Sequence, residues 1–189
     1  VVDKASILKS FILETERLIL RPPCSDDIPR IVEYAGSEEV ARMTLTIPHP
    51  YKPKHAEEFI AFCEEETEAR RIFTFAITYK PEDTLVGCMG IGNDTKHRSG
   101  ELGYWMGKPH WGKGYTTEAA RRMLKFGFEV LHLNRIYATH FADNPASGRV
   151  MQKIGMAQEG VLRQCYHRWG QFRDAVCYSI LKAEYLQNQ

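Results

Sequence analysis

No run in the 189 residues approaches the roughly 18 consecutive apolar positions of a membrane-spanning helix. The start of the chain carries no charged, apolar and small-residue succession of a signal peptide, so a soluble, cytoplasmic protein is expected; the sequence opens at Val1 rather than Met, and that expectation covers only what is printed. Five cysteines, Cys24, Cys63, Cys88, Cys165 and Cys177, are scattered, odd in number and without CxxC spacing, which favours reduced thiols over a disulfide framework. Histidines and cysteines form no metal-ligand set, and no Ser-His-Asp signature is present, so neither a metal centre nor a serine-hydrolase site is expected. Excess charge of either sign is also missing. Twenty-five Lys and Arg against 24 Asp and Glu give a net +1, which excludes a strongly basic nucleic-acid coat and leaves no direct nucleic-acid binding expected. Neither GxxxxGK[ST] nor GxGxxG occurs, removing the P-loop and dinucleotide readings. No repeat or low-complexity linker divides the chain.

What is present fits one sizeable core: 43% hydrophobic and 26% charged residues are ordinary for a globular protein. The reading is an N-terminal extension over 1–10, one domain over 11–186 and a tail over 187–189. FILETERLILR (11–21) reads as an opening strand stopped by Pro22-Pro23. Ser25 or Asp26 caps a helix with its stripe at Ile28, Ile31, Val32 and Ala35, and 38–44 adds another helical turn. A proline-rich loop over 45–54 leads to a helix from about His55 to Arg70. Three strands, 72–78, 85–91 and 101–106, are separated by short polar turns, which favours antiparallel neighbours. A helix bearing Ala119, Ala120, Met123 and Leu124 follows, then a strand over 135–141, a succession that implies a crossover with local parallel pairing. Asn144 at the N-cap, Pro145 at N1 and Gly155 at C′ bracket the next helix, and two extended segments meet around Gly170 and Gln171. The fold class is therefore mixed α/β, a mostly antiparallel sheet flanked by helices.

The stretch ELGYWMGKPHWGKGYTTEA (101–119) runs from an aromatic strand through a glycine turn directly into an amphipathic helix. Backbone amides freed by the turn and unsatisfied at the helix start point at an incoming anion, and Gly112 and Gly114 leave room for it. Lys113 can add a charge and Thr116 or Thr117 a hydroxyl; a ligand-free strand-to-helix connection remains open.

GELGYWMGKPHWGKGYTTEAARRMLKFGFE, then LNRIYATHFADNPASGRVMQKIGM, with ETERLILRP before them, together resemble the GNAT acetyltransferase superfamily, and its ribosomal-protein N-acetyltransferase branch in particular, over about 11–184. The resemblance implies acetyl-CoA as acetyl donor, with its pyrophosphate on Trp111, Gly112, Lys113, Gly114, Tyr115 and Thr116, and Asn144 beside its pantetheine or phosphate arm. Pro109 stands where relatives often carry Gln or Arg, which removes one side-chain contact and leaves the backbone nest. Ser147 matches a serine near the cofactor sulfur, and Glu101 an acidic position that takes the amine proton through water. A backbone N–H in the Tyr104, Trp105, Met106 segment is the implied donor to the thioester carbonyl. His110 is a weaker candidate base, and His140 and Asp143 are either cleft residues or a strand end with a local hydrogen bond.

Arg42, Tyr51, Tyr166 and Trp169 are the candidate acceptor-binding residues, with core-edge packing as their other use. The acceptor is read as a primary amine, either a peptide N-terminus such as that of a ribosomal protein or a small-molecule amine or amino acid. A non-catalytic coenzyme-binding sensor on the same fold is a further alternative, and the chain is monomer or homodimer.

Overall fold

The computed structural model describes residues 11–187; the extension expected over 1–10 and the last two residues lie outside them. The segment expected to be one opening strand is instead two: β1 (Leu13–Glu14) and β2 (Leu18–Arg21) pair antiparallel as a tight hairpin. The break has a cause distant in sequence. The Thr15 hydroxyl, the Arg17 amide and Arg17 Nε donate to the Glu118 carboxylate at 2.6, 2.9 and 2.7 Å, and this pulls the chain out of extended geometry.

Burial pushes the Glu118 carboxyl up, but the three donors and the guanidinium charge outweigh it and hold it below the ordinary value. A depressed folded-state pKa stabilises above the unfolded pKa and is lost as pH falls through the folded one. Glu118→Ala is therefore expected to cost about 2 kcal/mol at pH 7, and less as pH drops below ~4. Urea unfolding at the two pH values checks this, and an equal cost at both would contradict it.

After β2 the buried Asp27 accepts from Arg21 Nη1 and Nη2 at 2.8 and 2.9 Å and from the Cys24 amide at 2.9 Å, fixing the entry to α1 (Ile28–Ala35). Ser37 caps the short α2 (Glu38–Ala41), and Pro53 opens α3 (Pro53–Glu68), two residues before the start expected at His55. Strands β3 (Ile72–Tyr79), β4 (Thr84–Gly92) and β5 (Ser99–Met106) follow as an antiparallel meander. Next come α4 (Tyr115–Lys125), β6 (Arg135–Phe141), α5 (Pro145–Lys153), β7 (Ala157–Arg168), β8 (Gln171–Leu181) and α6 (Lys182–Gln187), the last a helix without an expected counterpart. A π-helical turn over Phe126–Val130 ends α4 and buries both Phe126 and Phe128; Phe126 meets Phe11, Phe73 and Phe75 edge-on at 5.5–5.6 Å. Trp169 and Gly170, both at positive φ, form the two-residue turn between β7 and β8.

The eight strands lie in the order β1-β2-β3-β4-β5-β6-β8-β7, antiparallel except where β5 meets β6. One face carries α4, with Ala119, Ala120, Met123 and Leu124 packed against Leu102, Ile136 and Ala138. The other carries α1 and α3 over Ala76, Leu85 and Cys88.

Candidate active site

The parallel contact between β5 and β6 is only three pairs long, Ser99↔Arg135, Gly100↔Ile136 and Glu101↔Tyr137. Beyond Glu101 each strand follows its other neighbour: β5 stays on β4 to Met106, and β6 stays on β8 to Phe141. The sheet splits there, and a cleft of about 530 Å³ opens between Leu102–Met106 on one side and Thr139 and His140 on the other. The Gly107 amide donates to Val86 O at 2.9 Å, so in this register residues 103 and 105 turn their amides to β4. Those of Tyr104 and Met106 consequently face the split.

The glycine turn roofs one end of this cleft. Gly112 and Gly114 adopt φ of +74° and +81°, and Gly114 is the N-cap of α4. A Cβ on Gly112 would meet nothing within 4 Å, and one on Gly114 only Arg17 Nη2 at 3.5 Å, so both face open space. The first intrahelical bond runs from the Glu118 amide to Gly114 O at 3.0 Å, which leaves the amides of Tyr115, Thr116 and Thr117 without partners in their own helix. That is a cradle for a phosphate-sized anion.

Around it, the expected residues take different places. Thr116, Tyr115, Gly112, Gly114 and Trp111 line the cleft. The Trp111 indole N–H donates to Met106 O at 2.7 Å and so tethers the turn to the strand end. The Lys113 side chain is not among the lining groups, and its carbonyl accepts from Arg17 Nη1 at 3.1 Å. Tyr115 lies under the Arg17 guanidinium, 4.7 Å from ring centroid to Cζ. The Trp105 ring turns to the opposite sheet face and packs on the α1–α3 layer.

The start of α5 forms the other wall. Asn144 Oδ1 accepts from the Ser147 amide at 3.3 Å, with Pro145 in the first turn, and Asn144, Pro145 and Ser147 all line the cleft. The cap and the cleft position are thus compatible for Asn144. Asn144→Ala is expected to lower stability by about 1 kcal/mol, measurable as a fall in Tm; an unchanged Tm would show that the cap contributes nothing.

Ser147 Oγ lies 2.8 Å from the Tyr104 hydroxyl, whose pKa burial pushes up to about 12 against a smaller opposing effect of that contact. His140 Nδ1 bonds Phe141 O at 2.8 Å, while its buried Nε2 has no partner among the described residues and sits under Gly148. His110 Nε2 lies 3.3 Å from the Tyr34 hydroxyl, and burial, Lys113 and Arg30 lower its pKa.

Glu101 occupies the vertex of the split but on the sheet face opposite Tyr104. It lines a second recess with Thr46, Asn93, Asp94 and Tyr137, and Gly103 borders both spaces. Glu101 is open to water at its outer edge, yet the recess desolvates it enough to raise its pKa.

The four expected acceptor residues line neither space. Tyr51 is packed within the α1–α3 layer, Tyr166 meets the Phe141 ring at 5.9 Å, and Trp169 lies 5.7 Å from His49. The Arg42 carbonyl accepts from Arg173 Nη1 at 2.6 Å, and Arg168 Nη2 donates to Ile47 O and to Ala41 O. The β7–β8 hairpin thereby straps down the loop after α2. That loop supplies Met43, Thr44 and Thr46 to the walls, and sequence reading gave no sign of them or of Tyr137.

A mixed, mostly antiparallel sheet split between β5 and β6 and flanked by helices is the fold that solved GNAT acetyltransferases share. Residues 17–157 match the family profile described as "Acetyltransferase (GNAT) domain", and the chain belongs to that family of acetyl-transferring enzymes. It is 34% identical over 172 residues to the uncharacterized N-acetyltransferase YoaA of Bacillus subtilis (strain 168), covering 90% of this chain and 97% of that one. The crystal structure of a GNAT-family acetyltransferase from Bacillus anthracis superposes with a TM-score of 0.81 at 28% identity, over 92% of this chain and 99% of that one. The microcin C7 self-immunity acetyltransferase MccE, solved in complex with acetyl-CoA and AMP, shares the fold alone: TM-score 0.79, 19% identity, 88% and 93% coverage. Among the described residues no group of three His, Cys, Asp or Glu side chains suits a metal ion, and no helix is long and apolar enough to cross a membrane.

Proposed function

We propose that this chain transfers the acetyl group of acetyl-CoA directly to a primary amine, with the donor in the β5–β6 split and the acceptor approaching from the Glu101 recess. The observation that carries this reading is the Gly103 border: it joins an anion cradle on one sheet face to a desolvated carboxylate on the other. Acetyl-CoA supplies an activated thioester carbonyl. Amides of Gly112, Gly114 and the first turn of α4 hold its pyrophosphate, Asn144 borders its arm, and the Tyr104 or Met106 amide donates to the carbonyl oxygen. Glu101, directly or through water, takes the ammonium proton, and Ser147 donates a hydrogen bond to the departing sulfur.

On the acceptor side, Asp94 joins Glu101, and Arg71 is engaged by Glu65 and Glu66. A cationic amine group, of a small molecule or of a peptide N-terminus, suits that recess; the fold does not choose between them. The test is turnover with a panel of polyamines, amino acids and short peptides, including ribosomal-protein N-termini, read by mass spectrometry. Gain of one acetyl group on at least one amine is expected. Tight acetyl-CoA binding with every acceptor unmodified would favour the sensor reading.

A further inference from the structure

Two hydroxyls, 43 positions apart in sequence, meet in the wall of the cleft. Tyr104 projects from β5 on the α5 side and is largely buried; Ser147 is the third residue of α5 and borders the cleft. A phenol has one hydrogen to give, and two oxygens of Ser147 are within reach: Oγ at 2.8 Å and the backbone carbonyl at 3.2 Å. The first distance is the usual optimum for O–H···O, and the second is long. The carbonyl, inside α5, also has the Met151 amide one turn on as its helical partner. Between the two hydroxyls the phenol is the more acidic and so the better donor.

The Tyr104 hydrogen therefore goes to Ser147 Oγ. A serine whose oxygen accepts from Tyr104 keeps its own hydrogen for another acceptor, and Ser147 borders the cleft. Without the phenol, a hydroxyl in the first turn of a helix bonds to nearby backbone instead.

We infer that Tyr104 is a positioning residue: its hydroxyl holds Ser147 Oγ as an acceptor, so that the serine hydrogen is presented to the sulfur of the bound coenzyme. This rests on the reading of Ser147 given above. In the transfer the amine nitrogen bonds to the acetyl carbon, the carbon–sulfur bond breaks, and the electron pair leaves on sulfur. The amine proton passes to Glu101 or water, and the thiolate takes its proton from solvent. Tyr104 and Ser147 lose none; their effect is confined to the hydrogen bond on sulfur.

The test compares wild type, Y104F, S147A and the double variant in two readouts. The first is calorimetric affinity for coenzyme A against desulfo-coenzyme A, which needs no turnover. The second is kcat and the acetyl-CoA KM with an active acceptor. Wild type is expected to prefer coenzyme A by roughly 2- to 10-fold, one hydrogen bond's net worth. Y104F and S147A each bring that ratio close to one with desulfo-coenzyme A affinity unchanged. Each lowers kcat by about tenfold or more with KM held, and the double variant loses no more than S147A alone. Y104F keeps the ring and its packing, and an unchanged Tm shows that it folds. If S147A loses the preference while Y104F retains both it and the wild-type kcat, the role of Tyr104 is overturned and that of Ser147 stands. If S147A itself is silent in both readouts, both readings fall. Additive losses in the double variant also overturn the inference, because Tyr104 would then act independently of the serine.

Discussion

Glu101→Gln is expected to lower kcat by about two orders of magnitude, the usual contribution of a positioned base, while the affinity for acetyl-CoA stays within about twofold of wild type. The separation follows from the sheet. Glu101 is the last residue of β5 paired with β6, and its side chain lies on the face opposite Leu102, Tyr104 and Met106. It can reach an acceptor amine without touching the anion cradle. Gly103 has no neighbour within 4 Å of where a Cβ would be, so the Glu101 face of the strand is open beside it.

Desolvation raises the Glu101 pKa, so the carboxylate forms at a higher pH than that of an unperturbed glutamate. A base acts in its deprotonated form, and kcat/KM therefore rises with pH through that raised value. In Glu101→Gln this limb disappears and only the ionisation of the amine remains. A pH profile that keeps the same acid limb in the variant would remove Glu101 from the mechanism.

Gly112→Val acts on the other face. At φ +74° a β-branched side chain is strained, at a cost of about 1–2 kcal/mol, and its methyls enter the space where an anion would lie against the backbone. Losing charge-assisted amide bonds to a phosphate costs about 1.5–3 kcal/mol more. The strain is a folding cost and cancels from binding, so affinity for coenzyme A in equilibrium dialysis should fall by roughly 10- to 100-fold, the conversion of the lost amide bonds alone at about 1.4 kcal/mol per decade. Because nothing in the fold packs against that position, Tm should drop by only a few degrees. Full affinity in Gly112→Val would mean that coenzyme A does not lie on this turn.

Local signals were legible in the sequence. Asn144, Pro145 and Gly155 bracket α5 as their residue types require, with Gly155 at φ +86°, and β6 spans 135–141 as its apolar pattern indicated. The shape of the glycine turn was legible for the same reason: two glycines before an amphipathic helix determine backbone geometry within a few residues. What escaped depends on contacts far apart in the chain. The opening strand breaks at Thr15 because of Glu118, about a hundred residues later. Trp111, whose indole holds Met106 O, and Lys113, whose carbonyl holds Arg17, make structural ties that their place in the glycine turn does not reveal.

The four candidate acceptor residues lie outside both spaces for a related reason. Arg42, Tyr51, Tyr166 and Trp169 stand out in the sequence as aromatic or charged groups near loops, but the strap from Arg168 and Arg173 decides which loop residues face inward. Those are Met43, Thr44 and Thr46, whose side chains carry no functional signature in isolation.

In the proposed mechanism the split between β5 and β6 holds acetyl-CoA. Titrating the wild-type chain with acetyl-CoA in a calorimeter tests it most directly. Saturable binding with one ligand per chain is expected, weakened on Gly112→Val and retained on Glu101→Gln. Absence of saturable binding to the folded wild-type protein would contradict it.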